Sequence, residues 1–146
     1  MKVYLASDHA GFDLKEKVKE FLLSKKYDVL DCGDFAPNPD DDYPVFVAIA
    51  AEKVSKDENS RAIVLGKSGA GEEIVANKFE NVRAVLGFSE ENVKLARLHN
   101  DANILSLGSQ FISREDALSF VKIFLETKFS NEQRHKRRIE EIKKLE

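Results

Sequence analysis

Short apolar runs alternate along this chain with segments whose apolar positions recur at helical spacing, and each switch between them marks an element boundary. Lys2 to Ser7 reads as a short buried strand through Val3, Leu5 and Ala6, and Tyr27 to Cys32 as a second. Ala62 to Leu65, Val82 to Phe88 and Ile104 to Leu107 supply three more, the last ending at Gly108. Between them the spacing turns helical. Leu14, Val18, Phe21 and Leu22 recur at helical intervals, with Lys15, Lys17, Lys19 and Glu20 assigned to the outer face. Asp42-Tyr43-Pro44 opens a helix carried by Val45, Ile49 and Val54 to Ser55, proline being favoured in a first turn. Further helices are predicted from a glycine-rich turn to Phe79, from a Ser89 cap through Leu98, and from Ser113 onward with Leu118, Val121, Ile123 and Phe124 apolar. Ser130-x-x-Gln133 matches a capping box and opens a terminal helix reaching Leu145.

Strands alternating with helices predict a single α/β domain over residues 1–146. The expected architecture is a Rossmann-like three-layer αβα structure with a five-stranded parallel sheet and a C-terminal helix. In such folds ligands bind beyond the carboxyl ends of the strands. Asp8-His9, the glycine turn and His99-Asn100 are all expected at strand ends or in nearby connections, so the reading gathers three polar groups on one edge.

The glycine turn is the most informative stretch. Gly66, Gly69 and Gly71 follow the apolar run directly, and Glu72 comes next. A Walker A loop would put its first glycine at Arg61, inside the strand, and the dinucleotide pattern G-x-G-x-x-G does not match Gly66-x-x-Gly69-x-Gly71. Backbone N–H groups at such a turn collect around an anion or a developing oxyanion. Glu72, in the first helical turn, is expected to stay ionised and to serve as a base. An ordinary strand-to-helix turn that binds nothing is the competing reading.

Composition narrows the classes. A formal net charge of −3 gives no general electrostatic reason to expect nucleic acid or an anionic membrane. The N-terminus has no secretory apolar core, and the longest uncharged apolar run, Val45 to Ala51, is far too short for a bilayer. The single cysteine, Cys32, forms no internal disulfide, which fits a reducing cytoplasm, and it reads as a small buried hydrophobe. Three histidines lie in polar clusters: His9 beside Asp8, His99 beside Asn100, and His135 within Arg134 to Arg138. No H-x-x-x-H or C-x-x-C spacing supports zinc. Arg134 and Arg138 share one helix face, either as a solvated surface or as a fork for phosphate.

Ala6-Ser-Asp-His-Ala-Gly11, Asp42-Tyr-Pro44, Gly69-x-Gly-x-x-x-x-Ala-Asn-Lys78, Arg97-x-His-Asn-Asp-Ala-Asn103 and Arg134-His-x-x-Arg138 together resemble the type B ribose-5-phosphate isomerase family. Galactose-6-phosphate isomerases share its fold. The motifs occur in order over nearly the whole chain. The resemblance implies interconversion of ribose 5-phosphate and ribulose 5-phosphate through a cis-enediolate, without metal or organic cofactor. It also implies a homodimer or dimer of dimers with sites shared between subunits. In the best-known members a cysteine stands at the position of Gly66. A mycobacterial-like branch places a glutamate after the turn, as Glu72 is placed here, with Glu73 turned away.

By the same resemblance His99 acts as acid/base in ring opening, with Asp8 nearby. The turn from Lys67 through Ser68, Gly69 and Ala70 to Gly71, with the Ser68 hydroxyl, holds the enediolate oxygens. Asn100 binds sugar hydroxyls, Tyr43 lines the pocket, and His9, Arg134 and Arg138 hold the phosphate. Lys67 and Gln110 depart from the usual residues, a small one and an arginine. An isomerase of galactose or allose 6-phosphate, and a non-catalytic phospho-sugar-binding module, are the alternatives.

Overall fold

The computed structural model describes every residue from Met1 to Glu146. Strands β1 (Lys2–Ser7), β2 (Asp28–Asp31), β3 (Arg61–Gly66), β4 (Ala84–Leu86) and β5 (Ile104–Gly108) alternate with helices α1 (Phe12–Ser24), α2 (Tyr43–Lys56), α3 (Ala70–Ala76), α4 (Glu90–Asn100) and α5 (Arg114–Glu126). Helix α6 (Gln133–Lys143) closes the chain. All strands run parallel in the order β2-β1-β3-β5-β4. The expected three-layer α/β fold is therefore the observed one.

Side chains alternate across the pleat. Val3, Leu5, Ile63, Leu65, Leu105 and Leu107 pack with Val18, Leu22, Val93, Val121 and Phe124 on the face covered by α1, α4 and α5. Tyr4, Ala6, Ala62, Val64 and Ile104 pack with Val47, Ala50 and Val54 of α2 and Ala76 of α3 on the other. Burial on both faces is why the strands read as continuous apolar runs. No helix is long and apolar enough to cross a membrane.

Three local expectations are corrected. Helix α3 ends at Ala76, because the Asn77 side chain pairs with both main-chain groups of Ala84, at 3.0 and 2.8 Å. The Ser130 capping box does not form. Ser130 Oγ instead lies 3.1 Å from His135 Nδ1, and Glu132 caps α6 without a side-chain bond. The serine caps at Ser89 and Ser113 do form, accepting from the N–H groups of Asn92 and Asp116.

The third correction is Lys15, which is fully buried rather than on the outer face of α1. Its Nζ donates to both carboxylate oxygens of Asp31 at 2.8 Å and to the Asp34 carbonyl at 2.5 Å, beneath the rings of Phe12 and Phe35. Lys19 also reaches Asp31, at 2.9 Å. Burial works against the Asp31 charge, but the two lysines outweigh it and hold its carboxyl below the ordinary range.

Removing one partner of a buried pair costs about 3–5 kcal/mol, and Lys19 places this case near the lower end. Lys15→Met should therefore lower stability in urea by about 3 kcal/mol, whereas Lys17→Ala, at an exposed pair, should stay within about 0.5 kcal/mol. Because the native Asp31 pKa is depressed, its contribution is complete above the unfolded aspartate value. It is lost as pH falls through the native value. Lys15→Met should flatten this acid limb of the stability curve.

Candidate active site

Strand β1 pairs with β2 on one side and β3 on the other, so the chain winds away from it in opposite directions. The crevice this leaves beyond the carboxyl ends is where doubly wound sheets bind ligands. Ser7 lies opposite Leu65, so Asp8 and Gly66 leave the sheet side by side. Asp8 is buried, its Oδ1 accepting the N–H groups of Ala10 and Gly11 at 3.0 and 3.1 Å.

Glu72 is also buried, at 3% exposure, and its carboxylate lies directly over the Gly66 Cα. A Cβ built on Gly66 would overlap Glu72 Oε1 and stand 2.8 Å from Oε2. The carboxylate thus occupies the space a side chain at residue 66 would need. Glu73, one step further round, points away and accepts the Leu86 N–H at 3.1 Å. A first-turn position was expected to keep Glu72 readily ionised. Burial instead raises its pKa, the Asp8 charge raises it further, and N–H groups of Glu72 and Gly69 oppose this only in part.

The turn is held by its carbonyls. Those of Gly66 and Lys67 accept from the N–H groups of Ser109 and Gln110, and that of Gly69 from Ser106 Oγ at 2.6 Å. Gly69 adopts φ +79°, a left-handed conformation that glycine takes without penalty. The N–H groups of Lys67, Ser68 and Gly71 make no hydrogen bond within the chain. Ser68 Oγ accepts from Ala70 N at 3.3 Å. Tyr43 closes the far side, its ring so near Gly71 that an added Cβ would stand 2.6 Å from Cζ.

His9 sits beside this crevice with Nδ1 2.6 Å from Asp41 Oδ1. The nearest ligand-type atoms of Asp8, His9 and Asp41 lie within 4.8 Å of one another. They already serve one another and the main chain, through Asp8 to the Ala10 and Gly11 N–H groups and Asp41 to both His9 nitrogens, main-chain N and Nδ1.

The expected convergence on one edge fails for the remaining residues. Helix α4 runs from the carboxyl end of β4 back to the start of β5, so His99 and Asn100 lie at the amino edge of the sheet. Strand β5 alone separates Ile104 there from Gly108 beside Gly66, a span of about 13 Å. Arg134 and Arg138 follow His99. They are exposed on α6, where the buried His135 packs its ring against His99 with centroids 4.3 Å apart. Sequence reasoning gave His135 no role beyond its polar cluster; only the α4–α6 packing reveals it as the support of His99. Within one chain Asp8, His9, Tyr43, Lys67, Ser68, Gly69, Ala70, Gly71 and Glu72 gather at the carboxyl edge of the sheet, whereas His99, Asn100, Arg134 and Arg138 lie toward the opposite edge.

Residues 3–142 match the family model described as Ribose/Galactose Isomerase. The chain belongs to that family. It is 42% identical to ribose-5-phosphate isomerase B of Mycolicibacterium paratuberculosis across all of this chain and 92% of that one. It is also 42% identical, over 89% of its length and 82% of the relative's, to a 4-deoxy-4-sulfo-D-erythrose isomerase of a Clostridium species. The fold is similar to that of Mycoplasma genitalium ribose-5-phosphate isomerase B with bound ribulose-5-phosphate, with TM-score 0.95 and 36% identity over 99% of this chain and 95% of that one. Family membership agrees with the resemblance read from the motifs.

Gly66→Ala should keep the fold but expel the Glu72 carboxylate toward water. Its pKa should then fall toward the ordinary glutamate value, as followed by carboxyl carbon NMR across pH 3–8. An unchanged titration would mean that Glu72 does not occupy the space above Gly66.

Proposed function

We propose that the protein interconverts ribose 5-phosphate and ribulose 5-phosphate through a cis-enediolate, with Glu72 as the base, at a site completed by a second copy of the chain. The observation that carries this reading is the Glu72 carboxylate buried over Gly66, beside Asp8 and the open N–H groups of the turn. Isomerisation moves a proton between adjacent carbons while the carbonyl moves the other way. A base must take the proton from the carbon next to the carbonyl and return it to the neighbour, and donors must hold the oxygens that become enediolate. A carboxylate whose pKa is raised by burial is the stronger base for that transfer. The Lys67, Ser68 and Gly71 N–H groups and the Ser68 hydroxyl supply the donors, and Tyr43 bounds the pocket.

Ring opening falls to the opposite edge, and anion binding is divided between His9 beside the turn and two arginines of α6 on that opposite edge. His99, braced by His135, and Asn100 are assigned to ring opening and sugar hydroxyls, and His9, Arg134 and Arg138 to the phosphate. Since these lie on opposite edges of one chain, a second copy must bring its His99 edge to the first copy's glycine turn. An uncovered apolar rim supports such an arrangement: Phe88 and Phe111, which follow β4 and β5 at the site edge, are 69% and 72% exposed. The buried Cys32, whose thiol pKa desolvation pushes up to about 11, is inert as a base and suits a reducing cytoplasm.

Glu72→Gln should lower turnover of ribose 5-phosphate by about 10²–10⁴ while KM changes little, and Cys32→Ser should leave it unaltered. The substrate class is read from the same assay run on allose 6-phosphate, galactose 6-phosphate and 4-deoxy-4-sulfo-erythrose. Preference for one of these over ribose 5-phosphate would replace the five-carbon phosphate reading, and no turnover of any would favour a binding module.

Mixing Glu72→Gln with His99→Ala tests the shared site. If the two residues come from different copies, half of the randomly mixed dimers carry one intact site, and activity returns to about a quarter of wild type. No recovery after proven subunit exchange would place both residues in one chain's site.

A further inference from the structure

The residues from Gly33 to Asp42 carry no regular secondary structure, yet they are fastened at both ends of their path. Near the start, the Asp34 carbonyl accepts from the buried Lys15 Nζ, and the Asp34 side chain accepts the N–H groups of Ala36 and Asn38 at 3.1 and 3.3 Å. Near the end stands Asp41, whose side chain is only 7% exposed. It takes the His9 main-chain N–H on both carboxylate oxygens, at 3.3 and 3.1 Å, and His9 Nδ1 at 2.6 Å. Three contacts from one carboxylate fix both the backbone and the ring of a single residue. His9 remains 37% exposed at its side chain, so the ring nitrogen that Asp41 does not hold can meet a ligand.

We infer that Asp41 is the positioning residue of the anion grip: it orients His9 and accepts Nδ1–H of the doubly protonated ring, so that the imidazolium presents Nε2–H to the anionic end of the substrate. This rests on the phosphorylated-sugar reading above. The hydrogen bond from Asp41 is the main cause that raises the His9 pKa, burial opposes it, and the charges of Asp8, Asp41 and Asp34 add to it. Burial opposes the Asp41 charge in turn, and the His9 bonds outweigh it and lower the Asp41 pKa. The sign follows directly. A raised His9 pKa keeps the ring cationic at and above the pH where a free histidine would lose its proton. The grip is complete below the ordinary histidine value and weakens as pH rises through the native one.

The test compares wild type, Asp41→Asn, His9→Gln and the double variant. Imidazole NMR of the ligand-free protein should show the His9 midpoint falling in Asp41→Asn. Inorganic phosphate binding and the KM for ribose 5-phosphate should weaken about tenfold at a pH between the two His9 midpoints read from that titration and less than about twofold at a pH below both. In the His9→Gln background, Asp41→Asn should add almost nothing, as a double-mutant cycle requires of residues that act through one another. An unmoved His9 midpoint would overturn the inference, as would equal losses at both pH values or additive losses in the double variant. Phosphate binding is measured without turnover. Failure of wild type to isomerise any sugar phosphate would therefore count against the proposed reaction, while the His9 midpoint and phosphate affinity still decide the role of Asp41.

Discussion

The Glu72 carboxylate and the bare Cα of Gly66 share one small volume at the point where the sheet changes winding direction. Much of the local structure exists to keep that volume filled by carboxylate alone. Gly66 gives up its side chain, Gly69 turns left-handed to start α3 at the right angle, and Ser106 ties the turn down through the Gly69 carbonyl. Desolvation then sets the chemistry. A carboxylate at 3% exposure beside Asp8 binds its proton more tightly than one in water, and the helix start is too weak to reverse this.

Buried charge recurs one layer further out. Lys15 reaches from α1 to the end of β2 and the start of the loop that carries Asp41, so His9 is connected to the core through ionic contacts. Such contacts are directional in a way that apolar packing is not, and they define where an irregular loop must lie. The loop needs that definition, because it has no ladder or helix of its own.

Elements and turn chemistry were largely legible in the chain. Short apolar runs and helical spacing located the five strands and six helices, and the glycine spacing singled out Glu72. What escaped were relations between distant segments. Lys15 sits where a helical pattern assigns solvent, because its partners Asp31 and Asp34 come from another element. Ser130 matches a capping box but is drawn to His135, which in turn packs on His99. Strand ends also look alike in sequence, so the amino-edge position of His99 emerges only from the direction in which α4 runs. Asp41 is one of three consecutive aspartates, and nothing local sets it apart from Asp40.

The crowding at Gly66 also shapes the routes by which this site can have arisen. A nucleophilic or basic side chain at residue 66 and a carboxylate from residue 72 claim the same space. A lineage exchanging one occupant for the other must pass through a chain that carries both, with one forced out of place, or through a chain that carries neither and leaves the space above residue 66 unfilled. Residues 66 and 72 are therefore expected to change together rather than singly.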